Sequence, residues 1–203
     1  MYWRTVKKSL IVAYDRIGIL AVMNMAFVLA SLPILTLPLT IPMLSSAVLS
    51  VARGEKISWR EPWRKAGRHY LRGGFLLLSS IAITAVLVAD LFILERMKQG
   101  RPEIAYLLMG FVLCLLAIWL LMQLYVLPLF LREELAVFGA FKKALLLVLG
   151  NFAISAAFGL TLLGFVLVMI LSGVGPFVIM VSFVFLVQHL LLDDLMERYD
   201  GQR

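Results

Sequence analysis

Apolar runs of bilayer-crossing length recur along the whole of this sequence. A helix needs about 20 consecutive apolar residues to cross roughly 30 Å of hydrocarbon, and the sequence offers six candidates. They cover residues 17–32, 34–52, 75–94, 104–131, 152–171 and 174–192. Only 15% of the residues are charged, against about 25% in soluble domains, so one water-surrounded core cannot enclose this apolar surface. The sequence therefore predicts an all-α, polytopic transmembrane bundle of about six spans, which forms one integral membrane domain over residues 1–203.

Three prolines mark the boundary between the first two apolar runs. The segment "LPILTLPLTIP" contains them, and a proline inside a helix removes a backbone hydrogen bond and clashes with the preceding turn. We predict a proline-broken second span, whose freed carbonyls and helix ends line a crevice of the kind that transporters use to hold a solute. The residues assigned to this crevice are Pro33, Thr36, Pro38, Thr40 and Pro42.

The distribution of Lys and Arg favours six spans over five. With six spans, the two termini and the loops at 53–74 and 132–143 share one side of the membrane, which holds sixteen of the nineteen basic residues. With the first two runs merged into a single span, the basic residues divide almost evenly between the two sides. Basic residues are enriched in the cytoplasmic loops of membrane proteins. We therefore expect a multi-pass protein with both termini in the cytoplasm.

The loop between the second and third runs contains the stretch "ISWREPWRKAGRHYLRGG". In a helix its arginines recur every four residues beside two tryptophans, which predicts a basic amphipathic cytoplasmic helix at the membrane surface. These charges can simply set the topology, with the aromatic rings as anchors at headgroup level. The alternative is a docking surface for anionic lipids or for an acidic partner protein. The residues of this basic stripe are Trp59, Arg60, Trp63, Arg64, Arg68 and Arg72.

Motifs for catalysis or cofactor binding are absent from the sequence. It contains neither the phosphate-binding loop G-x-x-x-x-G-K-[ST] nor the zinc motif H-E-x-x-H. Ser45 and Ser46 have no histidine near them in the sequence, so we interpret them as small residues that let helices pack closely. His189, Asp193 and Glu197 share one helical face but lack a second nitrogen or sulfur ligand. We expect no enzymatic activity, no cofactor, no metal and no nucleic-acid partner.

Several polar residues lie within the apolar runs, where burial in lipid is costly. They either form hydrogen bonds between helices or line a polar cavity together with the proline-rich segment. Asp90, near the end of its run, can also reach the interface. The other candidates are Asn24, Thr36, Thr40, Gln123 and Gln188.

A short helix is predicted after the fourth run, in the stretch "REELAVFGAFKKALLLVLGN". It begins with a charged patch and ends at Gly150, where glycine suits a helix end and Asn151 suits the cap of the next span. We expect an elbow helix at the cytoplasmic surface.

Three segments together resemble a known family. They are "LPILTLPLTIPMLSSAVLSVARGEKISWREPW", "LYVLPLFL" and "KKALLLVLGN", in this order along nearly the whole chain. They resemble the YesL-like family of bacterial integral membrane proteins. The resemblance implies a protein of the bacterial inner membrane without established biochemical activity, of a kind often suggested to accompany carbohydrate uptake systems. It supplies no binding residues.

We therefore expect a non-enzymatic accessory or regulatory component of a solute transport system, with the lipid bilayer, anionic lipids and transporter subunits as partners. One alternative is a small transporter that acts as an oligomer, although no internal repeat of the kind found in many transporters is apparent. Another is a diverged permease subunit of an ATP-driven importer. The spacing of Glu133 and Gly139 resembles that in the loop through which such permeases bind their ATPase, but the Ile and Leu-Pro elements that follow in that loop are missing here.

The charge distribution gives a first testable prediction about topology. Reporter domains fused after Lys56 and after the C-terminus should both be cytoplasmic, whereas a reporter near Gly100 should lie outside, because the basic residues hold their loops in the cytoplasm. Paired alkaline phosphatase and fluorescent-protein fusions measure this. An external reporter at Lys56 would contradict the six-span topology.

Overall fold

The computed structural model describes residues 2–33, 36–55, 62–64, 67, 70–98, 102–173 and 179–200. Within these ranges the protein is helical and contains no strand, as the sequence predicts. The helices are α1 (Tyr2–Asp15), α2 (Ile17–Ala30), α3 (Leu37–Ala52), α4 (Tyr70–Met97), α5 (Pro102–Arg132), α6 (Val137–Gly150), α7 (Phe152–Leu171) and α8 (Val181–Asp200).

Three of the helices are long and apolar enough to cross a membrane: α4, α5 and α7. They coincide with the predicted runs at 75–94, 104–131 and 152–171. Helices α1 and α2 give a fourth candidate if they are counted as one span, although their axes meet at 83°. The chain is therefore a helical membrane protein with three to four candidate spans among its described residues.

The other predicted runs also contain helices, but these are shorter or more polar. Helix α2 has 14 residues and α3 has 16, which is below the length of about 20 that spans the hydrocarbon unaided. Helix α8 carries Asp193, Asp194 and Glu197 in its second half. The prediction that all six runs cross the bilayer stays a prediction.

Helix α8 is the central element of the bundle. It packs against α1, α2, α3 and α5, and its side chains from Ser182 to Leu195 are almost all buried. Its apolar residues Leu186, Leu190, Leu191 and Leu195 form the middle of the core. Because α8 is surrounded on all sides, its polar residues have to find partners on the neighbouring helices.

Helices α4 and α5 form a hairpin that extends away from this core. At 1.5 Å per residue, 28 and 31 residues give lengths of about 42 and 46 Å. Hydrogen bonds between the two helices run from Ser80 Oγ to Gln123 Oε1 at 3.3 Å and from Trp119 Nε1 to Thr84 Oγ1 at 3.0 Å. The outward apolar side chains are exposed, as in a segment whose solvent is lipid.

The first helix was not predicted, since residues 1–16 entered the topology argument only through their basic residues. Residues 2–15 form α1, which packs along α8. Its buried side chains Thr5, Ser9 and Ala13 recur every four residues. Small residues at this spacing allow two helices to approach closely, and this pattern is the physical reason that the basic segment docks.

The proline-rich segment begins a continuous helix. Pro38 lies in the first turn of α3, where a missing N–H costs nothing, and α3 continues through Pro42. Residues 34–35 lie outside the described part of the chain. Two glycines of α4 face this end of α3: a β-carbon on Gly73 would lie 3.3 Å from the Pro38 carbonyl oxygen and 3.5 Å from Pro42 Cγ.

A helix is confirmed in the predicted elbow segment, α6, which ends at Gly150; its cytoplasmic location stays a prediction. Asn151 separates it from α7, but its side chain makes no capping hydrogen bond to α7, and its amide instead donates to the Leu147 carbonyl at 3.3 Å. The helix packs against α5 through Phe141, whose ring stacks on that of Trp119 with centroids 5.2 Å apart.

The close contact between α3 and α4 gives a second prediction. We expect Gly73→Val to destabilise the folded protein by about 1–3 kcal/mol, because the added methyl groups would overlap the α3 backbone. The measurement is thermal unfolding of the purified protein in detergent.

The matched control is Gly110→Val in α5, since a β-carbon at Gly110 has no atom within 4 Å. This change should shift the unfolding free energy by less than about 0.5 kcal/mol. Equal effects of the two substitutions would show that α3 and α4 do not pack in this way.

Candidate functional site

The most chemically distinctive region is a row of polar side chains along α8, which we call the polar seam: Gln188, His189, Asp193 and Asp194. Charged and amide groups of this kind are rarely buried without partners. Each of the four contacts a different neighbour, on α5, α3, α5 and α1 respectively. The seam therefore ties α8 to three helices that are distant in sequence.

His189 is fully buried and contacts Ser45 of α3. Its Nε2 lies 3.0 Å from the Ser45 carbonyl oxygen and 2.9 Å from the Ser45 hydroxyl. No histidine is near Ser45 in the sequence, since 144 residues separate it from His189, but the fold brings the two into contact. Ser45 and Ser46 are both buried at the close approach of α3 and α8, as expected for small packing residues.

The Ser45–His189 pair is not arranged as a catalytic nucleophile and base. A carbonyl oxygen only accepts hydrogen bonds, so the Nε2 that faces it carries the proton and cannot take one from the serine. The other ring nitrogen, Nδ1, has no hydrogen-bond partner within the described part of the chain, whereas a catalytic histidine is oriented by a third group there. Both residues are also sealed from solvent. The contact is structural.

Two aspartates at the end of the seam form ion pairs with different helices. Arg132 Nη2 of α5 lies 2.6 Å from Asp193 Oδ1. Asp194 is buried and accepts hydrogen bonds from the Thr5 hydroxyl and, at 3.3 Å, from Arg4 Nη2. A carboxylate buried at this depth requires such partners.

The three residues that share one face of α8 do not converge on a metal site. His189 faces Ser45, Asp193 faces Arg132, and Glu197 lies at the surface with its carboxylate 4.0 Å from Arg4. Within the described ranges, no group of three or more His, Cys, Asp and Glu residues is arranged to hold a metal ion.

The beginning of α8 is capped by a residue of another helix. Asn24 of α2 is fully buried, and its Oδ1 accepts hydrogen bonds from the Val181 and Ser182 backbone N–H groups, both at 3.1 Å. The first N–H groups of a helix have no partner within it, and lipid cannot supply one. Of the two interpretations of Asn24, the interhelical hydrogen bond is confirmed.

The side-chain amide of Gln188 contacts the backbone of Gln123 between α8 and α5. Gln188 Nε2 donates to the Gln123 backbone carbonyl at 3.5 Å. Five buried side-chain atoms nevertheless retain unused hydrogen-bonding capacity among the described residues: Gln123 Nε2, Arg132 Nη1, Ser182 Oγ, Gln188 Oε1 and His189 Nδ1. All five belong to α5 or α8, and where Gln188 contacts α5 the unused atoms include the Gln123 Nε2 donor and the Gln188 Oε1 acceptor.

The residues of the predicted crevice are brought together only in part. Thr40 and Pro42 are buried, Thr36 and Pro38 are half-buried, and Pro33 is exposed. The Thr40 hydroxyl lies 3.0 Å from that of Ser31, and the Thr36 hydroxyl donates to the Pro33 carbonyl at 2.6 Å. These hydroxyls therefore bond locally, at the connection between α2 and α3. Pro38 and Pro42 instead pack against α4.

The basic stripe lies largely outside the described residues, which exclude Trp59, Arg60 and Arg68. Residues 62–64 are helical, and the side chains of Trp63 and Arg64 are exposed. Arg72 is exposed in the first turn of α4. The stripe stays a prediction.

No family model matches the sequence, and neither a curated protein nor a solved structure is similar to it. The resemblance to the YesL-like family therefore stays a prediction that depends on the three segments quoted above.

The cap on α8 gives a third prediction. In Asn24→Leu the first N–H groups of α8 lose their acceptor. Leaving a buried donor without an acceptor costs about 1–3 kcal/mol. Amide hydrogen exchange over residues 181–184 should therefore accelerate about tenfold or more. Hydrogen–deuterium exchange with mass spectrometry in detergent measures this.

The internal control is the first turn of α7, whose exchange should be unchanged, because the Asn24 side chain bonds the N–H groups of Val181 and Ser182 in α8. Met25→Leu, an exposed neighbouring position, serves as the control variant. Unaltered exchange at 181–184 in Asn24→Leu would refute the capping role.

Proposed function

We propose that this chain is a non-enzymatic accessory or regulatory component of a solute transport system in the bacterial inner membrane, with both termini in the cytoplasm. The topology follows from the sixteen basic residues that one side of a six-span arrangement would hold. Carbohydrate is the solute class that the family resemblance suggests. The basic stripe is the proposed electrostatic contact with anionic lipids or with an acidic partner.

The observation that carries this proposal is the apolar surface of the α4–α5 hairpin. Phe92 is 69% exposed and Leu107 76%, and both lie on candidate spans that project beyond the α8-centred bundle. Within a bilayer such helices associate laterally through packing and small numbers of polar contacts. A long hairpin with free outer faces therefore supplies the surface that an accessory subunit needs beside a transporter.

The polar seam supports the absence of enzymatic activity in this proposal. Its charged groups neutralise one another across helix contacts, as Arg132 and Asp193 do at 2.6 Å. Its histidine lies against a backbone carbonyl. These contacts stabilise the bundle, and the histidine is fully buried.

The second candidate function is a small transporter that works as an oligomer. The unused donors and acceptors between α5 and α8 favour it, since buried polar groups of this kind can bind a polar solute. The related permease hypothesis is weaker, because Glu133 is engaged within the chain: Lys143 Nζ lies 2.5 and 2.6 Å from its two carboxylate oxygens. A glutamate held in this way is not offered freely to an ATPase.

Site-specific photocrosslinking tests the accessory role and gives a fourth prediction. A benzoylphenylalanine side chain placed at Phe92 or at Leu107 should crosslink in cells to another integral membrane protein that belongs to a solute transporter. The same group at Leu160 of α7, which is 71% exposed, is the matched control and should give lipid adducts only.

Lipid adducts alone at all three positions would contradict the accessory role. Uptake of labelled mono- or disaccharides by vesicles that contain only this purified protein would instead support the transporter. Crosslinking detects a neighbouring protein, whereas the uptake assay detects transport by this protein alone. Each experiment can therefore contradict its own hypothesis without deciding the other.

A further inference from the structure

Helix α1 carries a basic groove on the surface turned away from its buried Thr5, Ser9 and Ala13 face. The groove has a volume of about 310 Å³ and is lined by Arg4, Lys7, Lys8, Ile11 and Val12. Three cationic side chains thus lie within two turns of one helix, beside an apolar floor.

Two of these cations are available for a ligand. Arg4 is engaged by Asp194 at 3.3 Å and approaches Glu197 at 4.0 Å. Lys7 and Lys8 are exposed, and neither has an ion-pair partner in the part of the chain that the structure describes. The groove therefore retains two uncompensated positive charges, which suit an anion.

An apolar cleft adjoins the basic groove. It has a volume of about 620 Å³ and lies between α1, α7 and α8, with Leu10, Ile11, Tyr14, Phe165 and Phe183 among its lining residues. Ile11 lines both the groove and the cleft, so the two adjoin at this residue of α1. Together they form one elongated surface, cationic at one end and apolar along the rest.

This surface runs from a cationic end to an apolar end, in the same order in which a lipid of one leaflet runs from its headgroup to its acyl chains. Its basic end lies at the level along α1 at which Thr5, on the buried face, contacts Asp194, and Asp194 follows Asp193 of the ion pair with Arg132 at the end of α5. Its apolar end lies at Phe183, about 16 Å away along α8. There the Phe183 ring packs on that of Phe165, with centroids 4.2 Å apart, about two thirds of the way along the candidate span α7.

The far end of the cleft carries no net positive charge of its own. Asp15 lines the cleft there, and its carboxylate is offset by the adjacent, exposed Arg16. The uncompensated positive charge of the surface therefore lies at the end of Lys7 and Lys8.

We propose that this groove and cleft form a binding site for one anionic phospholipid. Lys7 and Lys8 contact the phosphate-bearing headgroup, and an acyl chain lies along Ile11 into the cleft between α1, α7 and α8. The site is distinct from the basic stripe at residues 59–72 and does not depend on the proposed accessory function.

Native mass spectrometry of the detergent-purified full chain tests this site and gives a fifth prediction. The wild type should retain phosphatidylglycerol over phosphatidylcholine of identical chains. Each lysine near an anionic surface contributes about fivefold in affinity, so Lys7→Gln/Lys8→Gln should weaken phosphatidylglycerol binding up to about 30-fold and leave phosphatidylcholine unchanged.

The matched control is Arg96→Gln/Lys142→Gln, which removes two exposed charges elsewhere and should bind as the wild type does. Ile11→Asp, at a half-exposed position, should reduce retention of both lipids, because it places a carboxylate where groove and cleft meet. Size-exclusion chromatography and circular dichroism establish that each variant is folded, and thermal stabilisation by phosphatidylglycerol provides an independent readout.

Three results would overturn the proposal. The first is unchanged phosphatidylglycerol binding in the folded double lysine variant. The second is equal retention of the two lipids by the wild type. The third is displacement of phosphatidylglycerol by glycerol phosphate at equal concentration, since this would show a headgroup site without a contribution from the cleft.

Discussion

The need to satisfy polar groups away from water governs the arrangement of this molecule. In a bilayer, an unpaired N–H, carbonyl or charge has no solvent to bond with. A polar residue on a buried helix therefore needs a hydrogen-bond or ion-pair partner on a neighbouring helix. Helix α8 carries such residues from its first turn to its charged end. Asn24, Ser45 and Arg132 bind it from three different helices, and these contacts fix which helices surround α8 and in what register.

The same constraint separates the protein into two parts with different surroundings. The bundle around α8 buries its side chains against protein and uses polar contacts to hold the helices together. The α4–α5 hairpin uses few such contacts, Trp119–Thr84 being one, and exposes apolar side chains that hydrocarbon solvates well. The hairpin is thus suited to contact lipid or another membrane protein, while the bundle is stabilised by contacts between its own helices.

The long apolar helices could be predicted from sequence, since their signal is local. Helix α7 has the predicted bounds, and the elbow at α6 follows from Gly150 and Asn151. The docking of α1 was missed because its charges dominate its composition, although the recurrence of Thr5, Ser9 and Ala13 signals a packing face. The Ser45–His189 contact could not be read from spacing at all, because it depends on how helices far apart in sequence come together.

The polar seam also has a consequence for biosynthesis. Ser45 is made 144 residues before its partner His189, and at about 5–20 residues per second this interval lasts roughly 7–30 s. During that time the hydroxyl of Ser45, the amide of Asn24 and the hydroxyl of Thr5 are already in the nascent chain, while the helix that pairs with them has not yet been translated. Helix α8 completes the contacts of α1, α2 and α3 only once it has been translated, so until then these helices depend on temporary partners, such as water, headgroups or the insertion machinery.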